Sequence, residues 1–161
     1  MNQAAQSSKK PILFAFLLAI VVGGIGGAAT EIGPWYYSLV KPSWQPPDWA
    51  FGPVWTLIYI TTGIAGVRAW RLGDARQRRL FLIALLINCV LNVLWSLLFF
   101  KMHRPDLALI EVVALWLSIL PLILLPLRYS PRSSLLMLPY LAWVSVAAYL
   151  NLTIVQLNPL L

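Results

Sequence analysis

At 161 residues the chain has the length of one domain, yet 60% of it is apolar and 11% charged, where soluble domains carry about 25% charged residues. That balance, with a mean hydropathy of +0.79, excludes a soluble monomer and points to a polytopic membrane protein. The net charge of +7 sits in short clusters between apolar runs, and no run shows the basic pattern with interleaved aromatics of a nucleic-acid arm. Nucleic acid is therefore not an expected partner, and the lipid bilayer is.

Apolar runs follow in chain order at about 12–30, 49–67, 80–100, 107–127 and 135–157. Each approaches the ~20 residues that cross a bilayer core, and none has the period-2 alternation of a barrel strand. The predicted fold is an all-α integral membrane bundle of five helices, read as a single domain over 1–161, with a long Pro- and Trp-rich loop between the first two. In the first run Gly23 and Gly27 form a GxxxG beside Gly24 and Gly26, which permits close approach to another helix. Packing within the chain is expected there, with a homodimer seam as the alternative. Lys9-Lys10, the apolar run and Gly27-Ala28-Ala29 also fit a cleavable signal peptide, whose removal would leave four helices.

Trp35, Trp44, Trp49 and Trp55 crowd the loop and the start of the second run, a higher aromatic density than an interface belt requires. Cys89 stands alone inside the third run, which excludes a disulfide scaffold. Pro121, Pro126 and Pro139 fall within or at the ends of spans, where kinks rather than breaks are expected. An odd number of spans separates the termini. Nine basic residues (Lys9, Lys10, Arg68, Arg71, Arg76, Arg78, Arg79, Arg128, Arg132) then share the amino-terminal face, against Lys41, Lys101 and Arg104 on the other. That asymmetry predicts a cytoplasmic amino terminus and an outward-facing loop running from about Glu31 to Asp48.

From Trp35 to Tyr59 the chain reads WYYSLVKPSWQPPDWAFGPVWTLIY. This segment resembles the signature of the TspO/MBR family, the tryptophan-rich sensory proteins whose mitochondrial relative is the translocator protein or peripheral benzodiazepine receptor. Trp35-Tyr36, Leu39, Lys41-Pro42, Trp44, Pro46-Pro47, Trp49, Gly52-Pro53, Trp55 and Tyr59 stand at the family spacing. Asn92, Trp95 and Phe99-Phe100 match in the third run, and Pro139-Tyr140, Trp143, Ala147 and Leu150-Asn151 in the fifth. The resemblance implies a five-helix fold in a bacterial cell membrane and binding of a porphyrin or another apolar ligand of the benzodiazepine-site type, in transport, sensing or stress response. Two departures stand out. The cholesterol-recognition pattern of animal members is missing after Leu150-Asn151-Leu152, and Pro105-Asp106-Leu107 opens the fourth run where the family often has an aromatic or small residue.

The matched residues can be placed by depth and face. Measured from the outer helix ends, Trp55, Trp95 and Asn151 fall roughly 9 Å in, and Tyr59, Asn92 and Ala147 roughly 14 to 15 Å. Trp55/Tyr59/Gly63, Asn92/Trp95/Phe99 and Trp143/Ala147/Leu150/Asn151 are each single-face sets at three- and four-residue steps, so they can line one cavity open to the outer side. With Tyr36 and Trp44 from the loop they form the candidate ligand-binding set. Such a cavity suits a large flat ring, protoporphyrin or haem, with Lys41, Lys101 or Arg104 available to its propionates.

His103, the single histidine, lies in an outer loop, and the cavity faces carry no His, Cys or Met, so neither a metal site nor an axial haem ligand is expected and no cofactor is obligatory. No nucleophile–base pair, paired carboxylate or phosphate loop argues for an enzyme. The one chemical alternative is photochemical: light-driven porphyrin breakdown against Trp55, Trp95 or Trp143. A proton-coupled exporter, the third alternative, would need a deep ionisable group; Glu111 is the candidate, expected to pair with Arg104 or cap a neighbour.

Overall fold

The computed structural model describes residues 9–30 and 32–159. Glu31, the expected start of the loop, and the terminal Leu161 lie outside the described residues. The helices are α1 (Lys10–Ala29), α2 (Pro34–Ser38), α3 (Asp48–Leu72), α4 (Ala75–Ser96, continued by a π-helical turn over Leu97–Lys101), α5 (Pro105–Leu124) and α6 (Pro131–Leu157). All but the short α2 are long and apolar enough to cross a membrane, which gives five spans among the described residues. The protein is thus an all-helical, multi-pass integral membrane protein.

At the α3–α4 turn the helix ends are set by local caps rather than by the limits of hydropathy. α3 continues past its apolar run through Arg68 and Arg71 and stops at Gly73, where an added Cβ would lie 2.9 Å from the Ala69 carbonyl and 3.3 Å from the Tyr129 ring. Asp74 then starts α4 with a capping box: its carboxylate accepts from the Gln77 backbone N–H at 2.8 Å, and the Gln77 side chain accepts from the Asp74 N–H at 2.8 Å. Pro34, Pro105 and Pro131 open α2, α5 and α6 in the first turn, where a missing N–H costs nothing. Pro53, Pro121 and Pro139 lie inside helices that continue through them, while α5 gives way to turns before Pro126.

The core is layered along the membrane normal. At the basic end Ala65 and Ala69, both fully buried, let α3 approach Leu122 and Met137 closely, with Phe81 beside them. The middle layer joins Ile58, Val112, Leu115, Ile119, Tyr140 and Val144. At the loop end Tyr36 and Leu39 pack on Phe99, Phe100, Ala108, Leu150 and Ile154. α1 stands at the periphery against α3 and α4, and most of its side chains face outward.

Candidate functional site

α1, α3, α4 and α6 leave a cavity of about 360 Å³ beneath the loop, within the ~300–1,000 Å³ range of small-molecule sites. One wall is the bare backbone of α1 at Gly23, Gly26 and Gly27. Facing it are Trp55 and Tyr59 of α3, their rings stacked with centroids 5.7 Å apart, then Asn92, Trp95 and Phe100 of α4, and Trp143 and Ala147 of α6. Asp48 and Phe51 stand at the loop end, and Phe51 meets Trp143 edge-on at 5.6 Å. A Cβ at Gly27 or Gly52 would meet nothing within 4 Å, so both positions face open space. Gly23 differs: its Cβ would come within 3.1 Å of the Tyr59 ring, so the α1–α3 approach depends on that glycine.

Of the candidate residues, Trp55, Tyr59, Asn92, Trp95, Trp143 and Ala147 border this cavity, and Tyr36, Trp44, Gly63, Phe99, Leu150 and Asn151 do not. Tyr36, Phe99 and Leu150 are buried in the layer that seats the loop, and Trp44 stacks on Tyr149 at 5.0 Å. Asn151 lies ~80° around α6 from Trp143 at ~100° per residue. It is buried there, accepting from the Trp95 indole N–H at 3.2 Å and donating to the Pro105 carbonyl at 2.8 Å. In α4 the wide π turn shifts the register by about one residue, and Phe100 reaches the cavity instead of Phe99, which stacks on Trp95 at 5.3 Å.

A buried chain of polar groups lies below the aromatic walls. The Asn92 amide donates to the Tyr140 hydroxyl at 3.2 Å, that hydroxyl donates to Asn88 Oδ1 at 3.0 Å, and the Asn88 amide donates to Ser118 at 2.8 Å. Sequence reasoning placed Asn92 at the site but overlooked Asn88 and Ser118; the signal was a second Asn one turn away on the same apolar face. Tyr59, Asn88, Cys89, Asn92 and Tyr140 border a much smaller cavity of about 40 Å³ beneath the first.

The loop is tied down at both flanks. The Tyr36 hydroxyl donates to Asp48 at 3.3 Å, and Gln45 Nε2 donates to both the Tyr36 oxygen and Asp48. Burial, reinforced by the Asp48 charge, pushes the Tyr36 phenol up to about 12, so the donor keeps its proton at physiological pH. At the other flank the Asn158 side chain accepts from the Val40 N–H and donates to the Val40 carbonyl, both at 2.9 Å, a clamp that no local sequence pattern reveals.

Several charged and aromatic side chains sit outside the cavity lining. Lys41 lies over the Tyr36 ring at 3.8 Å, Arg104 is paired with Asp106 at 2.6 Å, and neither they nor Lys101 border the cavity, where the charged group is Asp48. Glu111 does not pair with Arg104, because Asp106 lies two residues from that arginine; both Glu111 carboxylate oxygens are buried without a hydrogen-bond partner among the described residues. His103 is exposed but not merely solvated: it stacks on Trp35 at 4.2 Å. Trp116 lies on the α5–α6 seam, its indole donating to Ser145 at 2.8 Å, and is absent from the cavity lining. The lining includes no His, Cys or Met. No group of three or more His, Cys, Asp or Glu is gathered among the described residues.

Comparison with known proteins agrees with this architecture. The sequence model described as the TspO/MBR family matches residues 14–157. The chain is 43% identical to tryptophan-rich protein TspO of Chlorobaculum tepidum, over 88% of this chain and 92% of that one. It is 36% identical to protein CrtK of Rhodobacter capsulatus, over 91% and 93% of the two chains. It is also 31% identical to the translocator protein of Sus scrofa, over 84% and 83%.

Proposed function

The chain belongs to the TspO/MBR family, and from that premise and the cavity lining we propose that it is a membrane receptor for flat apolar ligands of the tetrapyrrole class, acting in porphyrin transport or sensing. The observation that carries this reading is the opposition of a glycine wall to aromatic rings. Without Cβ atoms at Gly26 and Gly27 a planar ligand can lie against the α1 backbone, while Trp55, Trp95 and Trp143 offer faces and edges for stacking. Asn92, held by Tyr140, supplies a fixed amide at the floor. With no imidazole, thiol or thioether in the lining, the ligand is a metal-free porphyrin or a haem without protein ligation.

Titration of the purified protein with protoporphyrin in darkness tests this reading through the Soret shift and tryptophan quenching. His103→Ala should bind as the unaltered protein does. Trp55→Phe or Trp143→Phe should each weaken binding by about 1 kcal/mol, the scale of one lost aromatic contact, and Trp116→Phe or Trp70→Phe should leave it unchanged, since neither Trp116 nor Trp70, in the last turn of α3, borders the cavity. A greater loss at Trp116 than at Trp143 would put the ligand elsewhere. Trp55, Trp95 and Trp143 also border the cavity together, which keeps the photochemical alternative. Stable spectra under illumination support binding alone, and light-driven bleaching that depends on these indoles supports breakdown.

The basic residues of the α3–α4 turn and the α5–α6 connection support a cytoplasmic amino terminus. A periplasm-dependent reporter fused at residue 161 should be active, and a cytoplasm-dependent one silent; the opposite pattern would invert the topology.

A further inference from the structure

A second, larger recess lies outside the bundle. α1 and α3 leave between them, toward the basic end, a groove of about 600 Å³ on the lipid-facing surface. Its walls are apolar and strongly exposed, with Phe16 62%, Ile60 54% and Ile12 48% accessible. Its basic end is closed by Arg68 and Arg71, which lie on the same helical face as Ile60 and Ile64. The Nε of each arginine is buried and has no hydrogen-bond partner among the described residues. The nearest carboxylate in sequence, Asp74, is taken up by the α4 capping box.

We propose that this groove holds the acyl chains of one anionic phospholipid, with its phosphate on Arg68 and Arg71. Length supports the assignment. From Ile60 to Arg71 the helix rises ~16 Å, which matches the ~15 Å hydrocarbon depth of one leaflet. A lipid with its headgroup at the arginines therefore reaches the midplane along the groove. Two guanidinium forks beside each other suit phosphate oxygens better than a zwitterionic headgroup, whose own cation competes for them. A second copy of the chain fits less well: a two-fold axis along the membrane normal would bring both pairs of arginines together at one depth.

The full chain, reconstituted in phosphatidylcholine nanodiscs doped with phosphatidylglycerol and released for native mass spectrometry, tests this directly. The expected result is retention of one phosphatidylglycerol in at least tenfold preference over phosphatidylcholine. Arg68→Gln with Arg71→Gln should abolish that preference. Arg76→Gln with Arg79→Gln removes the same charge from exposed positions of the same end and should preserve it. Ile64→Trp, which fills the groove while keeping both arginines, should also lower lipid retention, and circular dichroism establishes that each variant keeps its helices. Equal loss in the two arginine pairs would reduce the effect to general surface charge and overturn the proposal. Displacement of the lipid by excess inorganic phosphate would overturn it as well, as would a change of oligomeric state in place of lipid loss.

Discussion

Replacing Gly27 by Phe is expected to weaken porphyrin binding strongly while leaving the bundle folded. The position borders the cavity of about 360 Å³ and has open space where its Cβ would be, so a ring built there takes up volume the ligand needs. Within α1 the exchange is mildly favourable, because Gly costs ~1 kcal/mol relative to good helix formers and Phe costs less. Affinity should fall at least tenfold, or about 1.4 kcal/mol, with an unchanged thermal midpoint in detergent. Gly23→Phe provides the contrast. Its Cβ would already stand 3.1 Å from the Tyr59 ring, so that variant must part α1 from α3, and its midpoint should drop together with its affinity. If Gly27→Phe bound porphyrin as the unaltered protein does, the cavity would not be the binding site.

Asn151→Leu should destabilise the protein by about 2 kcal/mol, because it removes two interhelical hydrogen bonds made by a buried side chain. An interhelical hydrogen bond within a bilayer averages only ~0.6 kcal/mol. The larger figure here reflects the burial of Asn151, which joins α6 to both α4 and α5 through the Trp95 indole and the Pro105 carbonyl. Leu has the branched side-chain skeleton of Asn but a larger volume, so overpacking at this buried position adds to the loss of hydrogen bonding. A lowered thermal midpoint in ligand-free protein is the expected reading. Unchanged stability with weakened binding would instead return Asn151 to the ligand-contact role that its matched spacing implied.

The contrast between Asn92 and Asn151 shows what was legible in the sequence. Apolar runs located the spans because lipid leaves few ways to satisfy a backbone, and three- and four-residue spacing grouped Trp55 with Tyr59, Asn92 with Trp95 and Trp143 with Ala147. Those pairs do converge on one cavity. Spacing defines a face within a helix but not the direction in which that face points, so Asn151, a short rotation from Trp143, turned out to serve the neighbouring helices. The π turn at Leu97–Lys101 was hidden for a related reason: one wide turn changes the register after it without altering the apolar pattern. Glu111 was misjudged because its supposed partner had a nearer carboxylate in Asp106. The polar chain through Tyr140 and the clamp at Asn158 join residues 48 and 118 positions apart, beyond the reach of any local signal.

The Asn158 clamp also orders events during biosynthesis. Val40 leaves the ribosome early, yet the side chain that fixes its backbone is made 118 residues later. At synthesis rates of ~5–20 residues per second that interval is roughly 6 to 24 seconds. Throughout it the earlier helices can insert and pack while the loop above them lacks its final tether. Closure of the cavity roof is therefore a late, post-insertion step, and a released chain ending before residue 158 would keep the spans without this tether.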